Sequence, residues 1–63
     1  MIKREFRYKG YIGSVEYSLK YKVFFGKLLG VEDLCYYEAK SKSHLKIAFI
    51  KAVREYDHLI KKQ

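Results

Sequence analysis

Sixty-three residues with no proline, one cysteine and a formal charge of +7 describe one small basic domain, 1–63. A chain this short buries only about 60% of the surface its unfolded form exposes, and one cysteine and two histidines give it neither an internal disulfide nor a zinc site to reinforce a marginal core. No apolar run approaches the roughly 20 residues that cross a bilayer, and the basic start Met1 to Lys9 leads into no apolar signal region, so the expected setting is the reducing cytoplasm, with self-association or a partner completing the fold.

The first element is a strand at Glu5 to Tyr8, turned at Lys9-Gly10 into a second that runs from Tyr11 to Ser18. Both alternate with the period of two that marks half-buried strands: Phe6 and Tyr8 share a side, and Tyr11, Gly13, Val15 and Tyr17 oppose Ile12, Ser14, Glu16 and Ser18. Lys20-Tyr21-Lys22 connects to a third strand, Val23 to Leu29, rich in strand-forming residues. Lys27 sets its register: with Lys27 in water, Phe24, Gly26 and Leu28 face the core, while Val23, Phe25 and Leu29 form a partly covered patch on the other face. After a turn at Gly30 to Asp33, Leu34 to Ala39 supplies a fourth strand with Cys35 and Tyr37 inward and Tyr36 and Glu38 outward.

Ser41 then caps a helix whose apolar positions Leu45, Ala48, Phe49, Ala52, Val53, Tyr56, Leu59 and Ile60 recur at three- and four-residue steps, giving one stripe to lie on the sheet. Lys61 and Lys62 sit where the helix dipole favours cations. The expected fold is therefore α+β: a three- or four-stranded antiparallel sheet with one amphipathic helix packed on one face. Ile47 and Ile50 fall off the stripe, into a face that also carries Lys51, Arg54, His58 and Lys61. Isolated exposed aliphatics are ordinary. An apolar pair ringed by cations is also what a small interface core with a polar rim looks like, which makes Ile47, Ile50 and Arg54 candidates for binding a protein partner.

Catalytic chemistry finds no foothold in the sequence. His44 and His58 are fourteen residues apart on one helix, about 21 Å at 1.5 Å per residue, too far to share a metal ion. The seven acids do not converge at helical or strand spacings, and Ser14 and Ser18 lack a nearby base. Gly10-Tyr-Ile-Gly13 lies in a hairpin, not before a helix, and so is no phosphate loop. Cys35 reads as a buried apolar residue. No cofactor is expected. The fourteen Lys and Arg, spread from Lys3, Arg4, Arg7 and Lys9 to both ends of the helix, serve solubility and guard strand edges, or else attract a polyanion. For the second use the candidates are Lys20, Lys22, Lys40 and Lys42, interleaved with tyrosines able to stack on bases. The sequence signatures of the common RNA-binding sheets and loops are missing.

Order and spacing carry more than any single motif. Tyr8-Lys-Gly-Tyr11, Gly13-Ser-Val-Glu-Tyr17, Phe24-Phe-Gly-Lys27, Gly30-Val-Glu-Asp-Leu34 and Tyr37-Glu38 are followed by Ser41 and by Leu45, Ala48, Phe49, Ala52, Val53 and Tyr56. In that succession the chain resembles the HicB family of antitoxins over nearly its whole length. The resemblance implies a partial RNase H-like fold without nuclease activity. It further implies a steric binding function, in which the domain covers a small mRNA-cleaving HicA-like toxin. The chain ends at Gln63, just after the helix, so the DNA-binding domain that often follows in the family is not expected. Where family members commonly carry acids on the outer helix face, this one has Lys40, Lys42, Lys46, Lys51 and Arg54. The function expected from sequence is an antitoxin-like, non-enzymatic protein-binding module or an orphan relative of one. The alternative is a small basic nucleic-acid-binding domain. A homodimer is expected from the small core and the open strand edges.

Overall fold

A computed structural model describes residues 5–61, in which strands β1 (Glu5–Tyr8), β2 (Tyr11–Ser14), β3 (Glu16–Ser18), β4 (Val23–Leu29) and β5 (Tyr36–Ala39) precede one helix, α1 (Lys42–Lys61). All the pairings are antiparallel, and the helix packs across one face of the sheet, as the two hydrophobic periods in the sequence require. Lys3, Arg4 and Lys62 lie outside the described residues.

The β1–β2 hairpin closes through Lys9 (φ 52°) and Gly10 (φ 82°), both left-handed, as a two-residue turn of the mirror-image type demands. The second expected strand is split. β2 pairs with β4 through Ile12 and Leu29 and through Gly13 and Leu28, and β3 continues the same register with Glu16 opposite Phe25, Tyr17 opposite Phe24 and Ser18 opposite Val23. The two are halves of one strand interrupted at Val15, which raises the count to five. Since β5 pairs with Phe24 and Phe25 as well, it occupies the other edge of β4.

The interruption has a cause in side chains. The Tyr37 hydroxyl donates to the Ser14 carbonyl oxygen at 2.7 Å, and the Lys27 amide donates not to a carbonyl but to Ser14 Oγ, at 3.0 Å. Gly26 lies directly under this arrangement: a Cβ there would overlap the Ser14 carbonyl and crowd the Tyr37 ring. A Cβ at Gly13 would collide with the Tyr37 hydroxyl and the Phe49 ring. Both glycines are therefore needed for close approach. Burial lifts the Tyr37 hydroxyl to about 12 in pKa, so it remains a donor throughout the ordinary pH range. The fourth strand starts at Tyr36, not Leu34, although the Leu28 amide still reaches the Cys35 carbonyl at 3.0 Å.

Helix α1 begins where Ser41 predicts: its Oγ accepts the His44 amide at 3.2 Å and its carbonyl the Leu45 amide at 2.9 Å. Leu45, Phe49 and Val53, at four-residue steps, are fully buried and meet Leu28 and Tyr37 of the sheet. Phe49 sits between Phe6 and Tyr37, with ring centroids 5.4 and 5.7 Å away, and such pairs add to the value of burial alone. The stripe is shorter than expected. Leu59 and Ile60 are 61% and 43% exposed, because the last turn runs past the sheet. That end is tied down by polar contacts: the Tyr11 hydroxyl donates to Asp57 at 3.1 Å, Lys61 pairs with Asp57 at 3.2 Å, and Tyr11 packs edge-on against Tyr56. The Lys61 contact, with help from Tyr11, holds the Asp57 carboxyl below its usual range, while burial and the adjacent carboxylate raise Tyr11.

Gly26→Ala and Gly13→Ala should each lose about 1–3 kcal/mol from overpacking, and Tyr37→Phe should lose a similar amount by leaving a carbonyl without its donor; urea unfolding followed by circular dichroism measures all three. Because the folded Asp57 carboxyl is lowered, its contribution is complete above the ordinary value of 3.8 and is lost as pH falls through the folded value. Asp57→Asn should therefore melt below the parent protein at neutral pH and converge with it in strong acid, which thermal melts across a pH series will test.

Candidate functional site

The face of α1 turned away from the sheet offers a shallow groove. Ile47, Ile50, Lys51, Arg54, Glu55 and His58 line it, and their spacing of three and four residues makes them one stripe along the helix. Ile47 is 63% exposed, as the sequence pattern implies. Ile50 is not: it is half-buried and packs against the core cluster, which corrects the expectation that both isoleucines stand clear of the core. It therefore forms the floor of the groove, and Ile47 projects beside it. Arg54, Lys51 and His58 are exposed around them, with Glu55 the single carboxylate among the six. The three residues singled out as partner-binding candidates, Ile47, Ile50 and Arg54, are thus brought together.

The four lysines proposed for nucleic acid also converge, though elsewhere. Lys20 and Lys22 lie in the turn between β3 and β4, and Lys40 and Lys42 in the passage from β5 into α1. Because Ser18 pairs with Val23 and Phe24 with Ala39, these two connections leave the sheet at the same end. On the uncovered sheet face, Val23 and Phe25 are half-buried and Leu29 is 38% exposed. Phe25 shares a smaller depression with Tyr36 and Glu38.

Groups with reactive potential are occupied structurally. Ser41 Oγ lies 2.6 Å from His44 Nδ1, a separation that a nucleophile and base would have, but the same oxygen caps the helix by accepting the His44 amide. No third described residue is hydrogen-bonded to the imidazole to orient it as a base. Cys35 is partly buried and packs on the core, and burial followed by the nearby Asp33 raises its thiol, which lowers its reactivity. Among the described residues no three His, Cys, Asp or Glu side chains cluster as a metal site would need, and no helix is long and apolar enough to cross a membrane.

Comparison of the chain with family models, with curated proteins and with solved structures returns no match.

Some of this was open to sequence reasoning and some was not. Glu55 follows Lys51 by four residues and Ile47 by eight, so its place in the groove could have been found from helical spacing. The Tyr11 to Asp57 bond spans 46 residues and leaves no local trace. Ile47→Ala should change stability by no more than about 0.5 kcal/mol, whereas Ile50→Ala should cost about 1 kcal/mol or more because it removes a side chain that supports the core; paired chemical denaturation curves distinguish the two.

Proposed function

We propose that this chain is an antitoxin-like, non-enzymatic binding module of the HicA/HicB type, or an orphan relative of it, that acts in the cytoplasm by covering a partner protein. The groove on the outer face of α1 carries this reading. Its isoleucine pair gives an apolar centre, its Lys51 and Arg54 a charged rim, and its His58 a polar edge, the anatomy of a compact protein interface. A helix of 20 residues clamped to a sheet presents these groups without having to order them on binding.

The order of strands followed by one helix is what resemblance to that family implies, and it supports the same reading. The rim also specifies the partner's chemistry. With cations around the isoleucines, the complementary patch is apolar and edged with carboxylates. A toxin that fits this groove differs in that patch from one that meets an acidic antitoxin helix. A homodimer belongs to the proposal too, since the free edges of β1 and β5 can pair with a second copy.

Retrieval of the tagged protein from nuclease-treated host lysate, at low and moderate salt, tests the proposal. A small protein should be retained at stoichiometric level, inhibited in its own activity by the complex, and released from Ile47→Asp and Arg54→Glu variants that still fold. Retention of nothing, or retention that both variants leave unchanged, would refute the groove as the binding surface.

A further inference from the structure

The two connections that leave the sheet beside the start of α1 gather an unusual concentration of one charge. The segment from Tyr17 to Phe24 and the segment from Ala39 to Ile47 together hold five lysines and not one Asp or Glu. Register places them side by side: Val23 is opposite Ser18 and Phe24 opposite Ala39, so Lys22 and Lys40 flank neighbouring strand ends. None of the five takes part in an ion pair among the described residues. The first helical turn beside them has no acid to offset the positive end of its dipole.

Aromatic rings lie in the same place. Tyr21 is 70% exposed at the tip of the turn, with Lys20 Nζ 5.4 Å from its ring centroid. Tyr17 is 47% exposed and is held edge-on by Phe24, with 4.8 Å between centroids. A flat ring fixed on a sheet beside unpaired lysines offers a base somewhere to stack and its phosphates somewhere to rest. Lys22 takes a φ of 55°, a conformation in which glycine or asparagine is less strained. From these features we infer that this end of the sheet binds single-stranded nucleic acid, with Lys20, Lys22, Lys40 and Lys42 on the phosphates and Tyr17 and Tyr21 as stacking platforms. The site is separate from the groove on α1, so it stands or falls independently of the partner proposed above.

The opposite end of the molecule supplies a matched control. Lys9 also has a left-handed φ, 52°, and lies 5.6 Å over the Tyr8 ring, but its hairpin adjoins the Leu29 end of β4. Lys9→Asn and Lys22→Asn each remove one charge and relieve the same backbone strain, so neither should lose the fold. Fluorescence anisotropy with a labelled oligouridylate, read over a salt series, should show log affinity falling with log salt at a slope of about −3, for four phosphate contacts at about 0.7 each. Lys22→Asn should weaken binding about fivefold near 0.1 M salt and flatten that slope by about 0.7. Lys9→Asn should leave both almost unchanged, and Tyr21→Ala should weaken binding without altering the slope. Equal losses from Lys9→Asn and Lys22→Asn would mean diffuse charge and not a site. Absence of binding at low salt, or binding of anionic phosphatidylserine vesicles in place of the oligonucleotide, would overturn the inference.

Discussion

A single hydrogen bond organises this small protein: the buried Tyr37 hydroxyl on the Ser14 carbonyl. To make it, β5 must bring its aromatic ring across β4 to the strand beyond, and only glycine at positions 13 and 26 leaves room. The carbonyl that points to Tyr37 is withdrawn from the regular ladder, and Ser14 repairs the gap by accepting the Lys27 amide with its own hydroxyl. The strand breaks there, yet its register passes through the break undisturbed. The Tyr37 ring then forms part of the wall against which Phe49 packs, so the seating of the helix depends on the same contact.

Much of this was legible in the sequence because it follows from periodicity. Lys27 fixed which side of β4 meets the core, Ser41 fixed the helix start, and the alternation at Glu5 to Tyr8 gave the first strand to the residue. What periodicity could not reveal was where a regular element yields to a tertiary contact. Val15 has the composition of a strand residue, and nothing near it in the chain announces that Tyr37 will interrupt the pairing. Leu59 and Ile60 continue the helical stripe faithfully, and they are exposed only because the sheet ends before the helix does. For the surface, the sequence supplied candidate residues, and their grouping followed from different causes. Ile47, Ile50 and Arg54 shared a helix face by arithmetic, whereas the convergence of Lys20 and Lys22 with Lys40 and Lys42 depended on the strand order.

The distribution of charge follows the same architecture. On the uncovered sheet face one row sets Glu16 and Glu38 on either side of Phe25, and another sets Lys27 beside Tyr36. Cations predominate on the outer face of α1 and at the sheet end where it begins, and Asp57 is engaged by Tyr11 and Lys61. Among the described residues the cations are therefore not an even coating. Lys42, Lys46, Lys51 and Arg54 are presented from the helix that Ser41 caps, a rigid element.

Ile50 links this surface to the stability of the whole. It touches the core on one side and floors the groove on the other, so a partner seated in the groove would bury the remainder of a side chain that already helps to hold α1 on the sheet. Among the described residues, five hydrophobic side chains form the buried core: Leu28, Tyr37, Leu45, Phe49 and Val53. Against so small a core, ligand binding is a large term. Occupancy at a hundred times the dissociation constant contributes about 2.7 kcal/mol to the native state, a substantial share of the roughly 5 kcal/mol at the lower end for folded domains. For such a protein, association and folding draw on the same apolar surface. The half-buried isoleucine is the place where the two meet.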